Sequence, residues 1–240
     1  MGKTFPAVRF PPVSEASEGG LLMLGGQLTP EWLLTAYRQG IFPWPVCDGQ
    51  TEILAWFSPD PRAILELDRL HVSRRLQRRL RSGRFQVTFD ADFRGVITAC
   101  AEARKLEEGT WITPHLAEAY IDLHRLGITH SVEVWRDGRL VGGVYGLALG
   151  GFFAGESMFH RERDASKVAL VHLVRHLQSR GFVLFDVQQA SPHLVRLGAT
   201  EVPRSEFLAR LKRALELPVS FSDPDCRPAT PRPTPCSESI

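Results

Sequence analysis

The chain has 240 residues, 43% of them hydrophobic, which allows one large domain or two small ones with a real core; its formal net charge of +2 decides little, because the basic residues are clustered rather than spread. Its four cysteines (Cys47, Cys100, Cys226, Cys236) show no CxxC or paired spacing and fit a reducing compartment better than a disulfide framework or a zinc site. The N-terminus lacks the apolar stretch of a signal peptide and no run of about 18 apolar residues occurs, so a soluble, cytoplasmic protein without a membrane partner is expected.

Residues 5–20, rich in Pro, Gly, Ser and Glu, predict an extended arm. Thr29 as N-cap, Pro30 in the first turn and Gly40 past the end predict a helix over 30–39. Ile53 to Phe57 reads as a short strand stopped by Ser58-Pro59-Asp60-Pro61. That turn is the expected boundary between a small N-terminal α/β domain, 1–61, and a larger one, 62–220. Helices follow over 73–82, 92–104 and 114–126, with a strand over 84–89 after the first. Asp137-Gly138 between runs 131–136 and 140–147 is a strong hairpin signal. Phe152 to Ala154 leads a third strand into Glu156, a helix over about 165–179 starts at Asp164 and stops at Gly181, and 182–187 is a fully apolar strand. A helix over 204–216 precedes a tail, 221–240, whose Pro, Ser, Asp and Thr content predicts disorder.

This order is α+β with a mixed, mainly antiparallel sheet. It resembles the GNAT acyltransferase architecture, in which two central strands splay and hold an acyl donor between them. The phosphate loop usual in that fold is absent: after Glu156 the chain reads Ser157-Met158-Phe159-His160-Arg161, which offers the pyrophosphate of coenzyme A no obvious cradle.

Two carboxylates stand out. Glu156 and Asp186 sit on apolar strands, where an unpaired charge costs several kcal/mol unless it is partnered or neutralised. They mark a candidate site, the alternative being structural pairs with Arg161 or Lys167. Segment 73–84 carries six arginines and no acid. Val72, Leu76 and Leu80 form its buried stripe, while Arg74, Arg78 and Arg81 share another face with Arg75 and Arg79 beside them. With no acid interleaved, such a helix points to an anion opposite it, a nucleic-acid backbone being the usual one, the alternative being a solvated face balanced by acids elsewhere. Trp44 and Trp111 lie in loops rather than periodic core segments, whereas Trp32 and Trp135 read as core. Among the eight histidines only His172 and His176 share a helix face, with no third ligand nearby in sequence, so no metal is expected.

Several motifs together resemble the bacterial leucyl/phenylalanyl-tRNA–protein transferase family over about residues 10–216. They are Gly20 to Gly26 with Leu28-Thr29-Pro30; Gly40-Ile41-Phe42-Pro43-Trp44; Trp56 to Arg62; Glu108 to Thr113; Gly155 to Phe159; Ala165-Ser166-Lys167; and Phe185-Asp186-Val187-Gln188. Phe57 stands where the family carries a second Trp. The resemblance implies transfer of Leu or Phe from aminoacyl-tRNA to proteins beginning with Lys or Arg, marking them for degradation by the N-degron route, with no cofactor. It implies catalytic roles for Glu156, Asp186 and Gln188, and adenosine stacking on Trp44 and Trp111. Asp186 is then the expected base, Gln188 the group that orients amine or oxyanion, and Glu156 the partner of the acceptor's basic side chain. Val144, Phe153, Met158, Leu173 and Phe185 surround these strands as the acyl side-chain pocket, suited to Leu, Phe and, through the adaptable Met158, Met. A β-branched side chain is disfavoured there by only about 1–3 kcal/mol. The basic helix becomes a tRNA phosphate contact. An acyl-CoA N-acyltransferase and a non-catalytic tRNA- or degron-binding adaptor remain the alternatives.

Overall fold

The structure, a computed structural model, describes residues 8–48, 51–105 and 111–222. The segment Glu108 to Thr110, the cysteines Cys226 and Cys236, and the tail beyond 222 lie outside the described residues.

In the N-terminal part, β1 (Leu21–Leu24) and β2 (Phe42–Pro43) flank β5 (Ala55–Phe57) in a three-stranded antiparallel sheet, and β3 (Val46–Asp48) pairs with β4 (Thr51–Ile53). The strand expected over 53–57 is thus divided between two sheets. Helix α1 (Pro30–Arg38) begins as predicted: the Thr29 hydroxyl accepts from the Trp32 N–H and Pro30 occupies the first turn. Instead of a plain extended arm, residues 8–20 hold a 3-10 turn at Val13–Glu15, and Phe10 packs edge-on against Trp32 and Trp56.

The main sheet has seven strands in the order β12-β6-β11-β10-β9-β8-β7. These are β6 (Arg62–Leu65), β7 (Gln86–Phe89), β8 (Thr129–Arg136), β9 (Arg139–Leu149), β10 (Phe152–His160), β11 (Leu184–Gln188) and β12 (Ala199–Val202). The β8–β9 turn places Asp137 and Gly138 at φ 51° and 71°, the left-handed pair a two-residue hairpin turn requires. Every pairing is antiparallel except β10–β11, which runs parallel because the crossover helix α5 (Ala165–Arg180) joins them. The sheet is therefore mixed and mainly antiparallel, the α+β layout expected. Strands β6 and β12, with the short α6 (Pro192–Arg196) before β12, extend it beyond the sequence reading.

One apolar layer lies between the sheet and α5, with the stripe of α2 (Arg74–Arg81) on its margin through Leu76. Gly142 of β9 lies directly against the start of α5: a Cβ there would stand 2.6 Å from that of Ala165. The other layer packs α3 (Phe93–Lys105), α4 (Pro114–Arg125), α1 and α7 (Arg204–Leu215) against the opposite face. Phe221, at the start of the tail read as disordered, is 2% exposed and stacks on His130 and Phe153. Among the described residues no helix is long and apolar enough to cross a membrane.

Candidate active site

Strands β10 and β11 pair only from Phe152 to Ala154 and from Leu184 to Asp186. Where that pairing ends, β10 carries a bulge: Gly155 opposes Gly146 and Ser157 opposes Tyr145, which leaves Glu156 as the extra residue. The bulge directs Glu156 toward α1 and α4, where Tyr37 and Tyr120 wait. Tyr37 donates to Oε1 at 2.6 Å, Tyr120 to Oε2 at 3.0 Å, and the Gln188 amide to Oε1 at 3.0 Å; the two tyrosine hydroxyls also contact each other.

Among the described residues no cation touches this carboxylate directly. Burial pushes its pKa up to about 7, against the pull of the two tyrosine hydrogen bonds; Asp186 raises it further and Arg62 lowers it. Burial and the charge of Glu156 hold both tyrosine hydroxyls well above their ordinary range, so they stay protonated and remain donors.

Asp186 is placed quite differently. Fully buried, it accepts from Arg62 Nε at 2.8 Å and Nη2 at 2.7 Å, and from the Gln188 backbone N–H at 2.9 Å. The Arg62 guanidinium lies between the Phe42 and Phe207 rings, 4.7 and 4.6 Å from their centroids, and donates to the Gly40 carbonyl. This is a bidentate pair held in an aromatic sandwich. Pairs with Arg161 or Lys167 do not form; Arg161 instead meets Glu102 at 3.0 Å. Gln188 closes the arrangement with φ +66°, a strained value for a non-glycine residue that accompanies a shift of register at the end of β11.

Trp44 and Trp111 are brought together, half-buried and stacked with centroids 4.7 Å apart. Trp44 also meets Phe42, so the pair adjoins the ring that covers Arg62. Val144, Phe153, Met158, Leu173 and Phe185 form one cluster on the α5 face of the sheet, opposite the face to which Glu156 turns. Gly155 stands between the two: a Cβ there would come within 2.8 Å of the Phe185 ring. On α2, Arg74, Arg75, Arg78 and Arg81 are exposed, and Arg79 is half-buried near Asp164. Among the described residues no three His, Cys, Asp or Glu side chains gather where a metal could sit.

Sequence reasoning assigned no role to Arg62, Tyr37 or Tyr120. Arg62 opens an apolar run, Ala63-Ile64-Leu65, and a lone arginine there was a usable signal, since arginine is almost never fully buried without a partner. The tyrosines lie on the apolar faces of α1 and α4 and are indistinguishable in sequence from core residues.

Residues 26–60 match the leucyl/phenylalanyl-tRNA protein transferase N-terminal domain, and residues 64–212 match the leucyl/phenylalanyl-tRNA protein transferase family. A leucyl/phenylalanyl-tRNA–protein transferase of Aromatoleum aromaticum is 56% identical over 204 residues, covering 84% of this chain and 85% of its own. One of Pseudomonas putida is 53% identical, covering 91% of this chain and 96% of its own. Among solved structures, a GCN5-related N-acetyltransferase from Kribbella flavida is alike at TM-score 0.39 and 12% identity, over 72% of this chain and 60% of its own.

Proposed function

The chain belongs to the leucyl/phenylalanyl-tRNA–protein transferase family of aminoacyltransferases, and from that premise we propose that it moves Leu or Phe, and Met less readily, from tRNA to the N-terminal amine of proteins beginning with Lys or Arg. The product carries an N-terminal residue that marks it for degradation by the N-degron route. The observation that supports the chemistry best is Glu156: a buried carboxylate with three hydrogen-bond donors, no direct cation among the described residues and a pKa of about 7.

Aminoacyl-tRNA is an activated ester, so the reaction is aminolysis. The amine nitrogen attacks the carbonyl carbon, the bond to the ribose oxygen breaks, and one proton passes from the amine toward that oxygen. A model α-amine has a pKa near 8, so a carboxylate titrating at about 7 accepts its proton at little cost and returns it readily. We assign this proton to Glu156. The opposite division, with Asp186 as base, requires two charge-assisted hydrogen bonds to Arg62 to be given up first. In this reading Asp186 and Arg62 fix the end of β11, and Gln188 aligns Glu156.

The Asp186–Arg62 pair is neutral as a unit, which leaves Glu156 as the uncompensated charge and favours a cationic acceptor. The terminal adenosine stacks on the Trp44–Trp111 pair, a contact worth about 1–3 kcal/mol per base. The acyl side chain is assigned to the cluster on the α5 face, reached where β10 and β11 cease to pair beyond Ala154 and Asp186. The deciding experiment incubates the protein with labelled Leu-tRNA and peptides that differ only in their first residue. Label on Arg- and Lys-starting peptides, and little on Ala- or Glu-starting ones, is expected; equal labelling of the Ala peptide removes the acceptor assignment, and no labelling of any peptide overturns the transfer itself.

A further inference from the structure

On the α5 face of the sheet, two glycines lie opposite each other where the transferred side chain is assigned: Gly146 of β9 and Gly155 of β10. Each is covered by a ring. A Cβ on Gly146 would stand 2.5 Å from the Phe153 ring, and one on Gly155 would stand 2.8 Å from the Phe185 ring. The two rings meet edge to face with centroids 5.6 Å apart. Phe153 and Phe185 thus occupy the ground the acyl side chain needs, and it is seated only as these rings give way. How far they give is set by what stands behind them.

Phe221 stands behind Phe153. Across the sheet Phe185 lies on β11, its partner Phe153 on β10, Gly146 on β9, and His130 on β8 opposite that glycine. The Phe221 ring covers His130 at 4.2 Å and stacks on Phe153 at 5.7 Å, so it bounds Phe153 on the side away from Phe185. His176 of α5, at 4.5 Å, closes it from the helix side. The ring arrives from beyond the last helix. Helix α7 packs on the opposite face through Phe207, Leu211 and Ala214, whereas Val219 and Phe221 belong to the α5 layer. The chain changes layers over the β9–β10 turn, where the Gly151 N–H donates to the Ala214 carbonyl at 2.7 Å and a Cβ on Gly151 would come within 2.7 Å of Leu217. Past the crossing, His176 Nε2 donates to the Phe221 carbonyl at 2.7 Å, and Arg180 donates to the carbonyls of Ser220 and Ser222 at 2.9 and 3.2 Å. Held in this way, the ring is a fixed stop.

We propose that Phe221 is a positioning residue for donor selection: it limits how far Phe153 can retreat, and with it the depth available to the transferred side chain. It touches no reacting atom and acts through the Phe153 ring alone. Protein interiors are packed as densely as organic crystals, so a ring that cannot recede excludes a larger guest, and one freed of its backing admits it. With Phe221 in place the pocket suits Leu and Phe, and a fused bicyclic side chain is turned away. Plain packing by Phe221 has a different signature, equal losses for every donor as the fold weakens. The inference rests on the assignment of the acyl side chain to this cluster.

The test compares wild type, Phe221→Leu, Phe221→Ala and Gly155→Ala, each accompanied by a melting curve. The probes are adenosines carrying Leu, Phe or 2-naphthylalanine at the 3′ position. Amide-linked forms, which cannot transfer, give Kd, and ester-linked forms give kcat/KM with an Arg-starting peptide. In Phe221→Ala the preference for the naphthylalanyl over the leucyl analogue should rise about tenfold in Kd, and alike in kcat/KM, the scale on which fit in an apolar pocket discriminates. In Phe221→Leu it should rise less, and this variant keeps enough apolar volume to stay folded if the Ala variant does not. Unchanged ratios in a variant that melts cooperatively, or equal losses for all three probes, overturn the proposal. If Gly155→Ala still alters the ratios in that case, the pocket stands without Phe221; if it does not, the pocket assignment falls as well. Ratios that respond in Kd while wild type transfers nothing support the stop and overturn the reaction.

Discussion

Burying a carboxylate costs several kcal/mol unless it is paired or neutralised; Asp186 is paired with Arg62, and Glu156 is held by neutral donors alone. The two therefore respond differently to loss of charge. Asp186→Asn strands a buried guanidinium, so it is expected to cost about 3–5 kcal/mol of stability, read as a falling melting temperature or urea midpoint. A variant as stable as wild type would show that Arg62 finds another partner. Glu156→Gln keeps a hydrogen-bonding shape without basicity and should lower the transfer rate by about 10²–10⁴ with little change in donor binding. Its pH behaviour adds an independent check. The folded pKa of Glu156, about 7, lies above its ordinary 4.5, so its stabilising contribution is full below about 4.5 and is lost as the pH rises through about 7. Wild type should accordingly lose melting temperature relative to Glu156→Gln between pH 5 and pH 9, while its kcat/KM climbs through about 7 as the base ionises. In the variant only the ionisation of the amine, near 8, should remain in the rate profile. A wild-type rate that is flat through 7 would remove Glu156 as the base.

Strand β10 owes its chemistry to one irregularity, the bulge at Glu156, and to the glycine before it. Gly155→Ala drives a methyl against the Phe185 ring at 2.8 Å and pushes that ring into the cluster assigned to the acyl side chain. The expected result is a loss of kcat/KM that is larger for Phe-tRNA than for Leu-tRNA, the bulkier side chain losing its room first; equal losses would place the pocket elsewhere. On α2, replacing Arg74, Arg78 and Arg81 with Ala should weaken tRNA binding and flatten its salt dependence if these exposed side chains, which have no carboxylate partner among the described residues, meet phosphate as proposed. The start of α1 and the hairpin were legible because their causes are local: Thr29 caps α1, and Asp137-Gly138 sets the β8–β9 turn. The bulge was not, since it is defined by which residue of β9 lies opposite. Strand β6 escaped for a related reason. Four residues after a Pro-rich turn show no alternation, and only the pairing with β11 and β12 makes them a strand.

Taken as a molecule, the chain builds its carboxylate site from parts far apart in sequence. Tyr37 and Phe42 come from the N-terminal part, Arg62 from the strand after the Pro-rich turn, Tyr120 from α4, and Phe207 from α7. A boundary at residue 61 is readable from composition, yet Leu33, Tyr37 and Trp56 share one buried cluster with Ile97, Tyr120, Phe152 and Phe207. Two units with separate cores could unfold in turn, whereas one that shares its core should unfold in a single step. Three tryptophans, Trp32, Trp44 and Trp56, precede the boundary, while α5 and most of the main sheet follow it. Tryptophan fluorescence therefore weights the first part and far-UV circular dichroism the second. In urea the two signals are expected to trace one coincident transition, and Tyr37→Phe, which removes a donor to Glu156 from the N-terminal side, should move both midpoints together. Separated transitions, or a Tyr37→Phe shift confined to the fluorescence, would mean that the N-terminal part folds on its own and only docks its tyrosine onto the carboxylate.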